Sequence, residues 1–144
     1  MVDRASASIS IDAPVERILA VIADFVGYPA WSSEVKSVQI LASDAEGRGT
    51  QVTFVMDAGV VKDTYTLAYD WSAPDRVSWQ LVRAQLQKAQ EGAYILRAEG
   101  AGTLVTYELA VDLAIPMLGL FKRKAERMII DTALKGLKQH VEQR

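Results

Sequence analysis

Residues 51–81 read QVTFVMDAGVVKDTYTLAYDWSAPDRVSWQL, and apolar side chains fall at every second position along three stretches of this segment. A period of two is typical of strands that bury one face. Turn-forming residues at 57–60 and 72–76 separate the stretches and predict two hairpins. The alternating residues are Val52, Phe54 and Met56, then Val61, Tyr65, Leu67, Tyr69 and Trp71, then Val77, Trp79 and Leu81.

Hairpin counting sets the expected register of these strands. With the first turn at 57–60, Val52 lies opposite Tyr65, and with the second at 72–76, Tyr69 lies opposite Trp79. All the apolar sets then share one face of the sheet. A single sheet does not leave such a face in water, so we expect a helix, alone or together with a bound ligand, to cover it.

The segments on either side complete the predicted element order. Residues 6–11 alternate as an opening strand, Asp12 is suited to cap a helix and Pro14 to begin it. A strand is predicted for 35–41. Two further strands form a hairpin around the turn at 99–103, with Tyr94 opposite Tyr107. The glutamine-rich segment 83–92 is either an exposed strand edge or a mobile loop. The apolar stripe of the first helix is Val15, Ile18, Leu19 and Ile22, and the inward residues of the later hairpin are Tyr94, Leu96, Val105, Tyr107, Leu109 and Val111.

A long final helix is predicted from Pro116 to about Glu142. Gly136 is unfavourable inside a helix by about 1 kcal/mol relative to alanine, which indicates either close packing against the sheet or space for a guest. The face expected to point inward consists of Leu118, Phe121, Ala125, Met128, Ile129, Thr132 and Gly136.

The composition narrows the class of protein. The 144 residues are half hydrophobic and 24% charged, which predicts one globular domain over 1–144. The absence of cysteine excludes disulfides, thiolate metal sites and a cysteine nucleophile, and His140 is the one histidine, so we expect no metal or other cofactor. Without a signal peptide or an apolar run of membrane-spanning length, we expect a cytoplasmic, monomeric protein.

Charge is unevenly distributed along the chain. The net charge of −2 argues against nucleic acid as a partner. The segment from Pro116 onward, however, is basic, and its balance of +4 leaves −6 on the rest of the chain. A solvated helix face explains this pattern, and a transient contact with an anionic membrane surface or a protein partner is the functional alternative. The residues that would act in such an adaptor are Lys122, Arg123, Lys124 and Arg127.

Several short motifs resemble one family. Residues 9–14 (ISIDAP), 23–25 (ADF), 28–31 (YPAW), 92–96 (GAYIL) and 102–107 (GTLVTY) are similar to polyketide cyclase/dehydrase or coenzyme-Q-binding type members of the START-like superfamily. This resemblance implies an α+β helix-grip fold, with a curved antiparallel sheet of about seven strands around the long C-terminal helix and two short helices after the first strand. It also implies an apolar cavity that holds a hydrophobic small molecule.

The expected function is non-enzymatic binding or transport of a lipid, isoprenoid quinone or polyketide-like molecule, because groups able to move protons are scarce among the inward residues. The alternative is a polyketide aromatase/cyclase or dehydratase that uses Tyr65, Arg83 and Asp63, since Asp63 and Arg83 extend the inward rows of their strands. The competing explanation is that both residues lie at a strand end near the rim, where they pair with each other or with water. The predicted ligand-binding residues are Trp31, Val52, Phe54, Met56, Tyr65, Leu67, Tyr69, Trp79, Leu81, Arg83, Tyr94, Leu96, Tyr107, Leu109, Phe121, Ala125, Met128, Ile129 and Thr132.

Overall fold

The computed structural model describes residues 4–57, 62–113 and 119–143, with side chains of the last segment described from Arg123 onward. A short 3₁₀ turn, Phe25–Gly27, lies between the first two helices. The elements in chain order are β1 (Ala5–Ile11), α1 (Val15–Ala23), α2 (Tyr28–Trp31), β2 (Val35–Ser43), β3 (Gly49–Asp57), β4 (Lys62–Ala73), β5 (Arg76–Ala84), β6 (Gln87–Glu99), β7 (Gly102–Leu113) and α3 (Gly119–Glu142).

The seven strands form one antiparallel sheet in the order β1-β7-β6-β5-β4-β3-β2. This arrangement, with the long α3 and the short helices after β1, confirms the predicted α+β helix-grip fold. Helix α3 packs against β1 and β7 and also contacts α1 and α2. The predicted inward residues of β3 and the first half of β4 are buried, so the sheet presents one apolar face to the helices.

Two of the predicted registers are confirmed and one is wrong. Tyr69 lies opposite Trp79, and Tyr94 lies opposite Tyr107, as the turns predict. In the β3–β4 pair, however, Val52 lies opposite Leu67 and Phe54 opposite Tyr65. The cause is the position of the turn and not its length, because Asp57 pairs with Lys62, so that residues 58–61 separate the strands instead of 57–60. A shift of two keeps the same side chains inside. Val61 itself lies outside the described residues.

The start of α1 differs from the prediction in one detail. Pro14 occupies the N-cap position, and no side chain caps the helix there. The Asp12 side chain therefore does not cap α1, and the backbone N–H of Asp12 donates to Glu142 Oε2 of α3 at 2.9 Å. The predicted stripe is nonetheless correct, with Ile18 and Ile22 fully buried.

The buried face of α3 differs from the predicted one. The face is rotated by about one residue, so that Met128 is 39% exposed instead of inward. Gly136 packs against the backbone of α2, because a Cβ there would overlap the carbonyl oxygen of Trp31. Close packing, and not space for a guest, therefore explains this glycine. From residue 123 onward, where side chains are described, the buried residues of the helix are Glu126, Ile130, Ala133, Leu134, Leu137 and Val141.

The exposed side of α3 carries the basic residues. Arg123, Lys124 and Arg127 are exposed there, while Pro116 and the side chain of Lys122 lie outside the described part. Within the described ranges, no helix has the length and apolar character needed to cross a membrane.

Candidate functional site

A cavity of about 60 Å³ lies between the inner face of the sheet, α2 and α3. Strands β3 to β7 supply one wall, and Trp31 of α2 with Ile129 and Ala133 of α3 supply the other. The predicted ligand-binding residues that the structure brings together around this cavity are Trp31, Phe54, Met56, Tyr65, Leu67, Tyr69, Trp79, Tyr94, Tyr107 and Ile129.

Aromatic rings make up most of the sheet wall and touch one another in a continuous series. Phe54 stacks on Tyr65 with ring centroids 5.5 Å apart, and Tyr94 lies 4.7 Å from Tyr107. Trp79 meets Tyr107 edge to face at 5.6 Å. These ring–ring contacts hold the rings in position. The ring faces that line the cavity favour flat, apolar guests. The wall is therefore rigid and aromatic.

Glu34 is the one carboxylic acid among the described residues that line the cavity, and it is 9% exposed. It lies between α2 and β2, where its backbone oxygen accepts a hydrogen bond from Asp57 N–H at 2.7 Å. Burial raises the pKa of Glu34 above its ordinary value, although a hydrogen bond from the Thr132 side chain and the charge of Lys36 act in the opposite direction. This carboxyl therefore holds its proton more tightly than an exposed glutamate does.

The tyrosine hydroxyls around the cavity stay neutral. Burial, together with the nearby Asp63 and Glu34, raises the pKa of Tyr65, and burial with Tyr65 and Glu34 nearby raises the pKa of Tyr94. The pKa of Tyr107 rises for the same main reason. Neutral phenols keep their protons and can donate hydrogen bonds to an oxygen atom of a guest. Two of these donors are already used, since the Tyr28 hydroxyl donates to the backbone oxygen of Ile22 and the Tyr65 hydroxyl donates to Met56 Sδ at 3.8 Å.

Asp63 and Arg83 do not form the polar pair considered from the sequence. Asp63 is 4% exposed, and its two carboxyl oxygens accept hydrogen bonds from the backbone N–H groups of Gln85, Leu86 and Gln87 at 3.0–3.1 Å. It therefore holds the β5–β6 turn. Arg83 is exposed and lies opposite Thr66, because a bulge between Thr66 and Leu67 shifts the pairing by one residue. A one-residue shift turns a side chain to the other face, so the prediction that Arg83 points inward is wrong.

The other predicted ligand-binding residues lie away from the lining. Val52, Leu96 and Leu109 are buried elsewhere in the core. Leu81, Ala125 and Thr132 are partly buried, and Met128 is exposed. The side chain of Phe121 lies outside the described residues.

Sequence reasoning missed three polar residues of the lining, Ser32, Glu34 and Gln90. Gln90 had a usable signal, because it shares the inward phase of Tyr94 and Gly92 on β6 and the segment 83–92 is largely strand. Ser32 and Glu34 had none, since they lie in a short polar connection without periodicity. Among the described residues, no group of three or more acidic or histidine side chains is arranged to hold a metal ion.

Comparisons with known proteins agree with this architecture. A START superfamily protein from Mycobacterium smegmatis superposes with a TM-score of 0.91 at 25% identity, covering 97% of each chain. A protein from Thermus thermophilus gives a TM-score of 0.80 at 25% identity over 96% of this chain and 97% of its own. The Zhui aromatase/cyclase from a Streptomyces species gives 0.77 at 15% identity, covering 100% and 96%, and at that identity the likeness concerns the fold.

The fold and its cavity define a START-like helix-grip domain. The chain belongs to the family described as polyketide cyclase / dehydrase and lipid transport, whose model matches residues 3–142. A search of functionally curated proteins found no match.

Proposed function

We propose that this protein binds a hydrophobic small molecule, a lipid, isoprenoid quinone or polyketide-like compound, between the sheet and α3. The observation that carries the proposal is the continuous aromatic wall of the cavity. Family membership supports the same class of ligand.

The size of the cavity adds a condition to this proposal. Pockets for drug-sized ligands have volumes of about 300–1,000 Å³, whereas this cavity measures about 60 Å³. A quinone or polyketide ring system therefore needs the space between the sheet wall and the helices to widen. The polar connection at Ser32 and Glu34, together with the packing of Ile129 and Ala133, is where the helices close the cavity. We expect binding to move α2 relative to α3.

The test is native mass spectrometry of the gently purified protein, followed by extraction and identification of any molecule released on unfolding. A stoichiometric hydrophobic adduct supports the proposal. Adding such a ligand at 100 times its dissociation constant should then raise the free energy of unfolding by about 2.7 kcal/mol. A bare protein whose thermal stability is unchanged by saturating lipids, quinones and aromatic ketones contradicts it.

Glu34 favours a second candidate function, that of an aromatase/cyclase or dehydratase. A carboxyl whose pKa is raised can donate a proton to a ketone oxygen and then accept one from the adjacent carbon. Neutral Tyr94 near it can polarise the same carbonyl. These groups take the place of Arg83 and Asp63 in the enzymatic alternative.

This candidate is tested with a synthetic poly-β-ketone thioester as substrate. We expect Glu34→Gln to reduce turnover at least 100-fold while binding persists, which is the scale of general acid–base catalysis. Arg83→Ala, on the exposed face, is the control and should keep full turnover. Equal turnover by Glu34→Gln and the unmutated protein excludes Glu34 as the acid.

Membrane contact through the basic face of α3 and a monomeric state remain predictions.

A further inference from the structure

A chain of buried hydrogen bonds connects the cavity wall to the β5–β6 turn. Trp79 Nε1 donates to Gln90 Oε1 at 3.1 Å, and Gln90 Nε2 donates to Gln87 Oε1 at 2.5 Å. Gln87 Nε2 in turn donates to Asp63 Oδ2 at 3.1 Å. All four residues are more than nine-tenths buried. Trp79 and Gln90 line the cavity, while Gln87 and Asp63 lie behind it.

The two ends of this chain fix the orientation of both amides. An indole N–H can only donate, so Gln90 must turn its oxygen toward Trp79. At the other end every neighbour of the Asp63 carboxyl in the chain and in the turn is an N–H donor, so Asp63 accepts and Gln87 must turn its nitrogen toward it. Reversing Gln90 would place donor against donor at Trp79, and reversing Gln87 would place acceptor against acceptor at Asp63. The direction of the chain is thus determined by residues that cannot change roles.

This orientation leaves Gln90 with an unused donor. Its amide nitrogen carries two hydrogens, and one is taken by Gln87. Within the described segments, the second has no acceptor among the hydrogen bonds of the protein, although the residue faces the cavity. A buried N–H without an acceptor is unfavourable, and more so than an unused lone pair on a carbonyl oxygen.

We propose that Gln90 donates this hydrogen bond to a neutral acceptor oxygen of the bound ligand, and that Gln87 and Asp63 are positioning residues that hold its amide in the donating orientation. The inference rests on the proposed binding function and specifies the ligand further. The site then favours an aromatic ketone or a quinone over a hydrocarbon of the same shape.

The experiment compares two ligands that differ only in the acceptor, 2-acetylnaphthalene and 2-ethylnaphthalene. Dissociation constants for both are measured by isothermal titration calorimetry with the full chain. We expect the unmutated protein to bind the ketone about three- to tenfold more tightly than the hydrocarbon, as one neutral hydrogen bond allows. The ratio of the two constants is the readout, because a general loss of stability affects both ligands alike.

Three variants separate recognition from packing. Gln90→Leu removes the donor, and Gln87→Leu removes its positioning partner while leaving the backbone bonds of Asp63 intact. Both should reduce the ratio to about one. Gln85→Leu is the matched control, since this exposed glutamine lies in the same turn and only its backbone N–H is used; it should keep the ratio of the unmutated protein.

The possible failures differ in what they overturn. If the unmutated protein binds both ligands equally, or Gln90→Leu keeps the preference, the role of Gln90 is wrong and the binding function stands. If Gln90→Leu loses the preference but Gln87→Leu keeps it, the positioning role is wrong. If neither naphthalene binds the unmutated protein, while the adduct experiment also finds no ligand, both the inference and the proposed function are overturned.

Discussion

At the scale of single residues, Glu34 is buried although its sequence context gives no indication of burial. The segment SSEVKSV contains no signal for burial, yet the fold places this carboxyl against aromatic rings and beneath α3. The reason is tertiary: the connection between α2 and β2 crosses the end of the cavity. No local pattern encodes such a position, which is why sequence reasoning finds the wall and misses its acid.

The raised pKa of Glu34 predicts how stability depends on pH. Between the ordinary pKa and the raised one, the unfolded carboxyl is ionised while the folded one still holds its proton, so the free energy of unfolding falls as pH rises through this window. Glu34→Gln should remove this fall and be at least as stable as the unmutated protein at pH 7. Each unit of pKa shift corresponds to about 1.4 kcal/mol.

Urea unfolding at a series of pH values from 4 to 8 measures this difference. Glu99→Gln provides the matched control, because Glu99 is exposed in the β6–β7 turn region. Parallel stability curves for Glu34→Gln and the unmutated protein across the whole range would show that the carboxyl is not strained by burial.

At the scale of elements, α3 approaches α2 closely at Gly136. Gly136 has no room for a Cβ because the carbonyl oxygen of Trp31 occupies that position. Gly136→Ala should therefore lower the free energy of unfolding by about 1–3 kcal/mol, as overpacking does, despite the better helix propensity of alanine.

Chemical denaturation is the appropriate measurement for this variant. Lys135→Ala, at the adjacent and exposed position of the same helix, should stay within about 0.5 kcal/mol of the unmutated protein. A stability gain in Gly136→Ala would mean that α2 moves aside readily.

Strand identity could be predicted from sequence more completely than strand pairing. The alternation of apolar residues fixes which side chains of β3 and β4 face inward, and turn chemistry gives the Tyr69–Trp79 and Tyr94–Tyr107 pairs. The bulge beside Leu67 has no such signature, and it turns Arg83 outward. When a strand is assigned from alternation alone, one inserted residue reverses the predicted inward and outward sides for the rest of the strand. The inward residues beyond a bulge therefore cannot be predicted from alternation.

At the scale of the whole molecule, the volume of the cavity is small compared with the volume of the proposed ligands. Ala133 lines the cavity from α3 and is 7% exposed. Ala133→Leu adds three carbon atoms to a space of about 60 Å³. We expect it to change the stability of the free protein by no more than about 1–3 kcal/mol and to weaken ligand binding at least tenfold.

The measurement for this variant is calorimetric titration with 2-acetylnaphthalene together with thermal unfolding of the free protein. Ala20→Leu makes the same change at an exposed position of α1 and should leave the affinity unaltered. Unchanged affinity in Ala133→Leu would place the ligand elsewhere on the protein.

The last turns of α3 form hydrogen bonds with β1 and α1. Lys138 Nζ donates to the backbone oxygen of Ser10 at 2.7 Å, and Arg17 donates to the backbone oxygen of Val141 at 2.9 Å, across separations of 128 and 124 residues. β1 likewise has β7 as its partner in the sheet. During synthesis on the ribosome, β1 must therefore wait until β7, at Gly102–Leu113, has been made before it gains a partner, and its apolar side chains, Ile9 and Ile11, lack that cover for the interval.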